Sequence, residues 1–421
     1  MTPAGGVPQD EWPTPSQPPP AVRVLADVLS QPETVGFVHV AHGDDPDRRY
    51  LTRDPEPQQP AAIVCLQTDD DDITALYGVT ASHREAAVES FLTSNTADDS
   101  EQAPDTIEKF VSTRDAGTPP GRHAVEILAD RLGDTAGTGT LRVPSHLPHD
   151  AAVRLQQAGY ELSSTPVLTD ARAVKLPAER ECLRSVQQAA AHGVAHATSR
   201  LAAATTDDGG SYTDGEPLSA TRLERGVAAA IADTGVTPAT VTVTTPGTDS
   251  RAPLPTGVGV IIHVTPRGPH GYYGRLTRTV VVESDGGWDR RAHIAANAGL
   301  TAARTHCQPE TSITTVAAEA RAELTAYGFP PLGNSGDADD DEQQATAGST
   351  ATVHGIGLAP VEAPTQPGST TLTSGSILAI ETAVTDPDHG HLRLGSLIEV
   401  TDEGGDFLVA HPLTMTPDSS V

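Results

Sequence analysis

Lysine is nearly absent: Lys109 and Lys175 are the only two in 421 residues. Aromatic residues make up 3% of the chain, and methionine occurs twice. Partners built on phosphate need clustered basic side chains, but 27 Lys and Arg stand against 56 Asp and Glu, a formal charge of -29. Nucleic acid and anionic membrane are therefore not expected as partners. The three cysteines, Cys65, Cys182 and Cys307, lie far apart with no CxxC spacing. Buried thiols are expected rather than a disulfide or metal site. No run reaches the ~18 apolar residues of a spanning helix. Residues 1–20 are acidic and proline-rich without the apolar centre of a signal peptide. A soluble cytoplasmic protein is the expectation. Acid-rich, lysine-poor, aromatic-poor composition suits a halophilic cell, because carboxylates keep a protein hydrated in concentrated salt; the other reading of the charge is a basic partner.

The length allows two domains with proper cores. Residues 1–20 read as a disordered leader, residues 21–170 as an α/β layer domain, and residues 171–421 as a second α/β (α+β) domain. In the first domain the pattern predicts helix at 22–29, 81–95, 124–132 and 147–158, and strand at 36–41, 61–67 and 139–143. A turn is expected at 69–72, and residues 108–113 are ambiguous. In the second, helices are predicted at 184–203, 220–234, 289–307 and 312–326, and strands at 240–245, 352–355, 377–384 and 395–401. The acidic, Gly-containing stretch 205–217 reads as a loop. Residues 333–350 read as a solvated acidic loop, since they lack the ligand spacing of an EF-hand. His293 and His306 read as surface or capping residues.

The centre of the second domain is a pair of strands. Residues 257–264 are apolar and β-branched, residues 265–274 are dense in Gly and Pro, and residues 275–282 form a second strand. Side chains two apart share a face, which groups His263 with Ile261, and Arg275 with Thr277 and Thr279.

The phrase Gly271-Tyr-Tyr-Gly-Arg-Leu-Thr-Arg-Thr279 resembles a signature of the pita-bread metallopeptidases, which include methionine aminopeptidases, Xaa-Pro aminopeptidases, prolidases and creatinase. Three further phrases follow in the family's order. They are His354-Gly-Ile-Gly-Leu358 with Glu362-Ala-Pro364, Leu372-x-x-Gly375 leading to Ile380-Glu381, and Arg393-Leu394 running into Val400-Thr-Asp-Glu-Gly404. Tyr50-Leu-Thr-Arg53 resembles a phrase of creatinase-type amino-terminal domains, and residues 174–181 resemble the entry to the family's first long helix. The resemblance implies a creatinase-like amino-terminal α/β domain and a carboxy-terminal pita-bread domain. Related Xaa-Pro aminopeptidases are often dimers, so a homodimer is expected.

Working members hold two divalent metals on two aspartates, a histidine and two glutamates. Carried over residue by residue, the aspartate positions are His263 and Arg275, the histidine is His354, and the glutamate positions are Glu381 and Gly395. A pocket histidine of the family falls on Val361, and Tyr272 lies beside the site in the signature loop. Hard divalent ions need carboxylate oxygens that cancel their charge, so these exchanges disfavour a dinuclear site. Three readings stay open. In the first, Arg275 pairs with Glu381 and a metal-free pocket binds a peptide or protein without catalysis. In the second, His263, His354 and Glu381 hold one divalent metal (zinc, manganese or cobalt) in an active aminopeptidase or dipeptidase. In the third, a creatinase-like hydrolase works without metal, using His354 or His263 as base with Glu381 or Glu362. Arg278 reads as a structural brace of the hairpin.

Overall fold

The computed structural model describes residues 14–55, 59–68, 72–93, 106–332, 347–366 and 370–417. Most of the predicted leader and acidic loop, and part of the expected turn at 69–72, lie outside the described residues. The chain divides into two compact units, Ser16–Arg172 and, together, Met1–Pro15 and Ala173–Val421.

The first unit carries strands β1 (Thr34–Ala41), β2 (Ala61–Gln67), β3 (Ile73–Thr80), β4 (Ile107–Arg114), β5 (Thr140–Val143) and β6 (Glu161–Ser164). They form one sheet in the order β4-β3-β2-β1-β5-β6. Its helices are α1 (Ala26–Leu29), α2 (Pro46–Thr52), α3 (Arg84–Ala87), α4 (Pro120–Leu132), α5 (His149–Gln157) and α6 (Val167–Ala173). Val38, Val40, Ala62, Val64 and Leu141 meet Ala124, Leu128, Ala151 and Leu155 in its core. The ambiguous residues 108–113 belong to β4, which runs parallel to β3. Sequence patterning missed β3 because every one of its residues is buried, so no polar alternation marks it. The helix expected at 81–95 is instead a 3-10 turn, α3 and a π turn over Val88–Leu92, with Asn95 outside the described residues.

The second unit begins with α7 (Pro177–Ala202), whose Pro177 stands at the first helical position where its missing N–H costs nothing. Glu179 accepts from the Leu176 backbone at 2.9 Å and closes that end. Strands β7 (Thr205–Asp207), β8 (Gly210–Thr213) and β9 (Glu216–Pro217) follow, where a loop was expected. The signal was present: Asp208-Gly209 and Asp214-Gly215 all have positive φ, the conformation of two-residue hairpin turns. Next come α8 (Ala220–Ala232), β10 (Thr237–Thr244), β11 (Gly259–Arg267), β12 (Leu276–Val281), α9 (Trp288–Thr305) and α10 (Ile313–Ala326). The chain closes with β13 (Gly348–Gly355), β14 (Glu362–Thr365), β15 (Ile377–Asp386), β16 (Gly390–Thr401) and β17 (Gly404–Phe407). The large sheet runs β10-β11-β12-β16-β15-β13-β14, with β17 on β16.

One face of this sheet is apolar and covered by helices. Val260, Ile262, Val264, Leu276 and Val280 pack against Val186, Val194, Leu223 and Val227 of α7 and α8. Leu378, Ile380, Leu392, Leu394 and Ile398 pack against Ala296, Leu300, Val316 and Leu324 of α9 and α10. Strand side chains alternate, so His263, Thr277, Glu381, Arg393 and Gly395 face the other way. All three cysteines are buried thiols, as expected. His306 bonds the Ala302 carbonyl at the end of α9. His293, expected at the surface or a cap, is half-buried and has a buried Nε2 with no hydrogen-bond partner among the described residues.

Candidate active site

Strand register brings the family positions together. On β11 and β12, His263 pairs with Thr277 and Ile261 with Thr279. On β15 and β16, Glu381 pairs with Gly395 and Ala383 with Arg393. Thr277 also pairs with Gly395, so Thr277, Gly395 and Glu381 line up across three strands. His354 on β13 pairs with Ala379, two residues from Glu381.

Glu381 is the hub. Its Oε1 accepts from the Arg393 Nε at 3.0 Å and from the Arg393 terminal nitrogen Nη2. Its Oε2 accepts from the Thr277 hydroxyl at 2.8 Å and lies 3.9 Å from the Arg275 guanidinium. Burial would raise the Glu381 carboxyl. The opposing charge and hydrogen bonds of Arg393, with Thr277 and Arg275, overcome burial and hold it below its ordinary value. The sequence pointed to Arg275 as the partner of Glu381, but Arg393 is the closer one.

Thr277 has a single proton, which it gives to Glu381. Its oxygen therefore accepts from His263 Nδ1, 2.8 Å away, and His263 Nε2 accepts from the Thr265 hydroxyl at 3.2 Å. Burial, with the charge of Arg275 beside it, pushes His263 down to about 4, so the ring is neutral at pH 7. His354 donates from Nδ1 to the Gly355 carbonyl at 2.8 Å, leaving the lone pair at Nε2. Burial lowers its pKa as well.

Arg275 is fixed through its backbone: Gln187 on α7 donates to its carbonyl at 3.0 Å and accepts from its N–H at 2.9 Å. Its side chain keeps 21% exposure. A Cβ built on Gly395 would stand 3.1 Å from Thr277 Oγ1 and 3.3 Å from Glu381 Oε2, so a larger residue would crowd the hub. Arg278 is the expected brace. It is buried and donates to the carbonyls of Gly395 at 2.7 Å, Thr277 at 2.9 Å and Pro412 at 2.9 Å.

Other expected site residues lie elsewhere. Glu362 is sealed in a buried ion pair with Lys175 at 2.9 Å, so it is not free to act as a base. Tyr272 is 2% exposed and donates to Glu179 at 2.6 Å, a structural contact rather than a pocket wall. Val361 is 53% exposed. Among the described residues, His263, His354 and Glu381 are not a set whose ligand atoms all lie within 4.8 Å of one another; His39, Asp47 and His146 of the first unit are.

No curated protein matches the sequence. In fold, the chain is similar to the prolidase of Pyrococcus horikoshii (TM-score 0.70, 18% identity), covering 94% of this chain and 99% of that one. It is similar to an Xaa-Pro dipeptidase of Bacillus anthracis (TM-score 0.70, 16% identity, covering 94% and 97%). A variant of Escherichia coli aminopeptidase P aligns with TM-score 0.66 and 16% identity over 97% of each chain. The model of metallopeptidase family M24 matches residues 181–402, which take in the first three phrases, the fourth as far as Asp402, and the Glu381 hub. The chain belongs to metallopeptidase family M24 and has its pita-bread fold.

Proposed function

We propose that the carboxy-terminal site is a metal-free peptide- or protein-binding pocket in an Xaa-Pro aminopeptidase-like protein that has lost catalysis. The occupation of Glu381 carries this reading. A two-metal hydrolase needs carboxylates to bridge the ions and cancel their charge. Here the one carboxylate at the mapped positions is bonded by Arg393 and Thr277, with the Arg275 guanidinium 3.9 Å away. Arg275 and Gly395 offer no anionic oxygen, and both nitrogens of His263 are engaged by threonine hydroxyls. The donor set does not fit a pair of divalent ions. It also fits poorly to one zinc, manganese or cobalt ion, since the three donors do not converge.

One observation favours a second reading, a creatinase-like hydrolase without metal. His354 is neutral and carries its lone pair at Nε2, as a general base must. Peptide or protein ligands, rather than nucleic acid or membrane, remain the proposed partners. No helix among the described residues is long and apolar enough to cross a membrane. A cytoplasmic homodimer adapted to concentrated salt completes the proposal.

Calorimetric titration with an Xaa-Pro dipeptide in high salt tests it. Binding is expected in EDTA and should weaken in Arg275→Ala, which removes one of the two cations beside Glu381. Binding that vanishes in EDTA and returns with manganese would overturn the reading.

A further inference from the structure

A second group of donors lies wholly in the amino-terminal unit. His39 stands on β1, Asp47 in the first turn of α2, and His146 in the loop after β5. β1 and β5 are parallel neighbours, so their carboxyl ends bring these side chains to one edge of the sheet, where open α/β sheets commonly place ligands. One ligand atom from each of the three lies within 4.8 Å of the others.

The polar groups around them are arranged in support. His39 is fully buried; its Nε2 bonds Asp45 Oδ1 at 2.9 Å, and its Nδ1 has no hydrogen-bond partner among the described residues. A buried ring nitrogen without a partner is costly. A ring held by a carboxylate on one nitrogen is also what orients a metal-bound imidazole. Asp47 accepts from Arg172 on Oδ1 at 2.7 Å, while its Oδ2 lies 3.5 Å from His146 Nε2. His146 Nε2 also stands 3.8 Å from Asp45 Oδ2. His146 is about half exposed, with 51% of its side chain in solvent, which opens the group to ions and lets that side chain close the remaining distance.

We propose that His39, Asp47 and His146 form a divalent transition-metal site, with zinc as the preferred ion. Two imidazoles and a carboxylate are a nitrogen-rich set that suits zinc or cobalt better than calcium or magnesium. Zinc ligand bonds of about 2 Å put ligand atoms roughly 3–3.5 Å apart, a contraction that His146 can supply. Asp45 and Arg172 act as the outer partners that fix His39 and Asp47. The ion ties β1, α2 and the loop after β5 together. This inference stands apart from the proposed loss of metal at Glu381.

The test uses full-length protein stripped with EDTA and titrated with cobalt(II), followed by visible absorbance, then competed with zinc. One ion per chain is expected, with affinity falling at least about tenfold in His146→Ala and unchanged in His354→Ala. His146→Gln serves as a second variant if the first fails to fold. Absence of binding, or binding that is untouched by both His146 variants or abolished by His354→Ala, overturns the proposal.

Discussion

Two carboxylates of the same unit meet cations in opposite ways. Glu362 has Lys175 at 2.9 Å, and both side chains are almost fully buried. Glu381 has two guanidinium groups, a threonine and two nearby histidines, and it stands on the sheet face turned away from the helices. The buried Lys175–Glu362 pair brings opposite charges together and anchors structure. Two cations on one carboxylate leave a net positive charge that a ligand carboxylate could answer. The same amino acid is thus a strut in one place and, in the proposed function, the floor of a binding pocket in the other.

Stability separates the two most sharply. Glu362→Ala leaves the Lys175 ammonium buried and unpaired, which should cost about 3–5 kcal/mol in urea unfolding. Glu381→Ala should cost less, about 2 kcal/mol, because Arg275 and Arg393 keep some contact with water. An equal loss at both positions would erase the distinction.

Acid should also act on the open site. The His263 pKa is depressed in the folded protein to about 4, so the unfolded chain binds its proton first as pH falls. The neutral ring is therefore fully compatible with folding above pH ~6.5, and stability falls between ~6.5 and ~4. The part due to His263 should be about 2 kcal/mol, less than the full shift implies because the ring is partly exposed. His263→Gln should flatten that slope in unfolding measured across the range.

Within the hub, Arg393→Ala should cost ~1.5–3 kcal/mol and Arg275→Ala less than about 1 kcal/mol, since of these two arginines Arg393 hydrogen-bonds Glu381 and Arg275 stands 3.9 Å away. The reverse order would make Arg275 the main anchor. Last, with -29 charges repelling one another, the unfolding midpoint should rise with potassium chloride. A flat response would remove the case for salt adaptation.

Much of the hub was legible in the sequence because the motif phrases carry their spacing. His263, His354, Glu381 and Gly395 fall on facing strands as alternation requires. Arg393 was in view only as part of a phrase. Its hold on Glu381 depends on register, with Gly395 opposite Glu381 and Arg393 two residues away on the same face. Single-strand patterning carries no register, which explains why Arg275 looked like the nearer partner. Tyr272 and Glu362 were misread for a similar reason, because their partners Glu179 and Lys175 lie far away in sequence on or just before α7. The His39 group was invisible for the same cause, as His146 joins it only through the β1–β5 pairing.

Glu381 can serve arginines or metal ions, not both. Hydrolysis of an Xaa-Pro dipeptide should be followed in high salt with added manganese, cobalt or zinc, and in EDTA. No turnover above buffer is expected under any of these conditions. Turnover that requires the added ion, and is lost in Glu381→Ala, would contradict it.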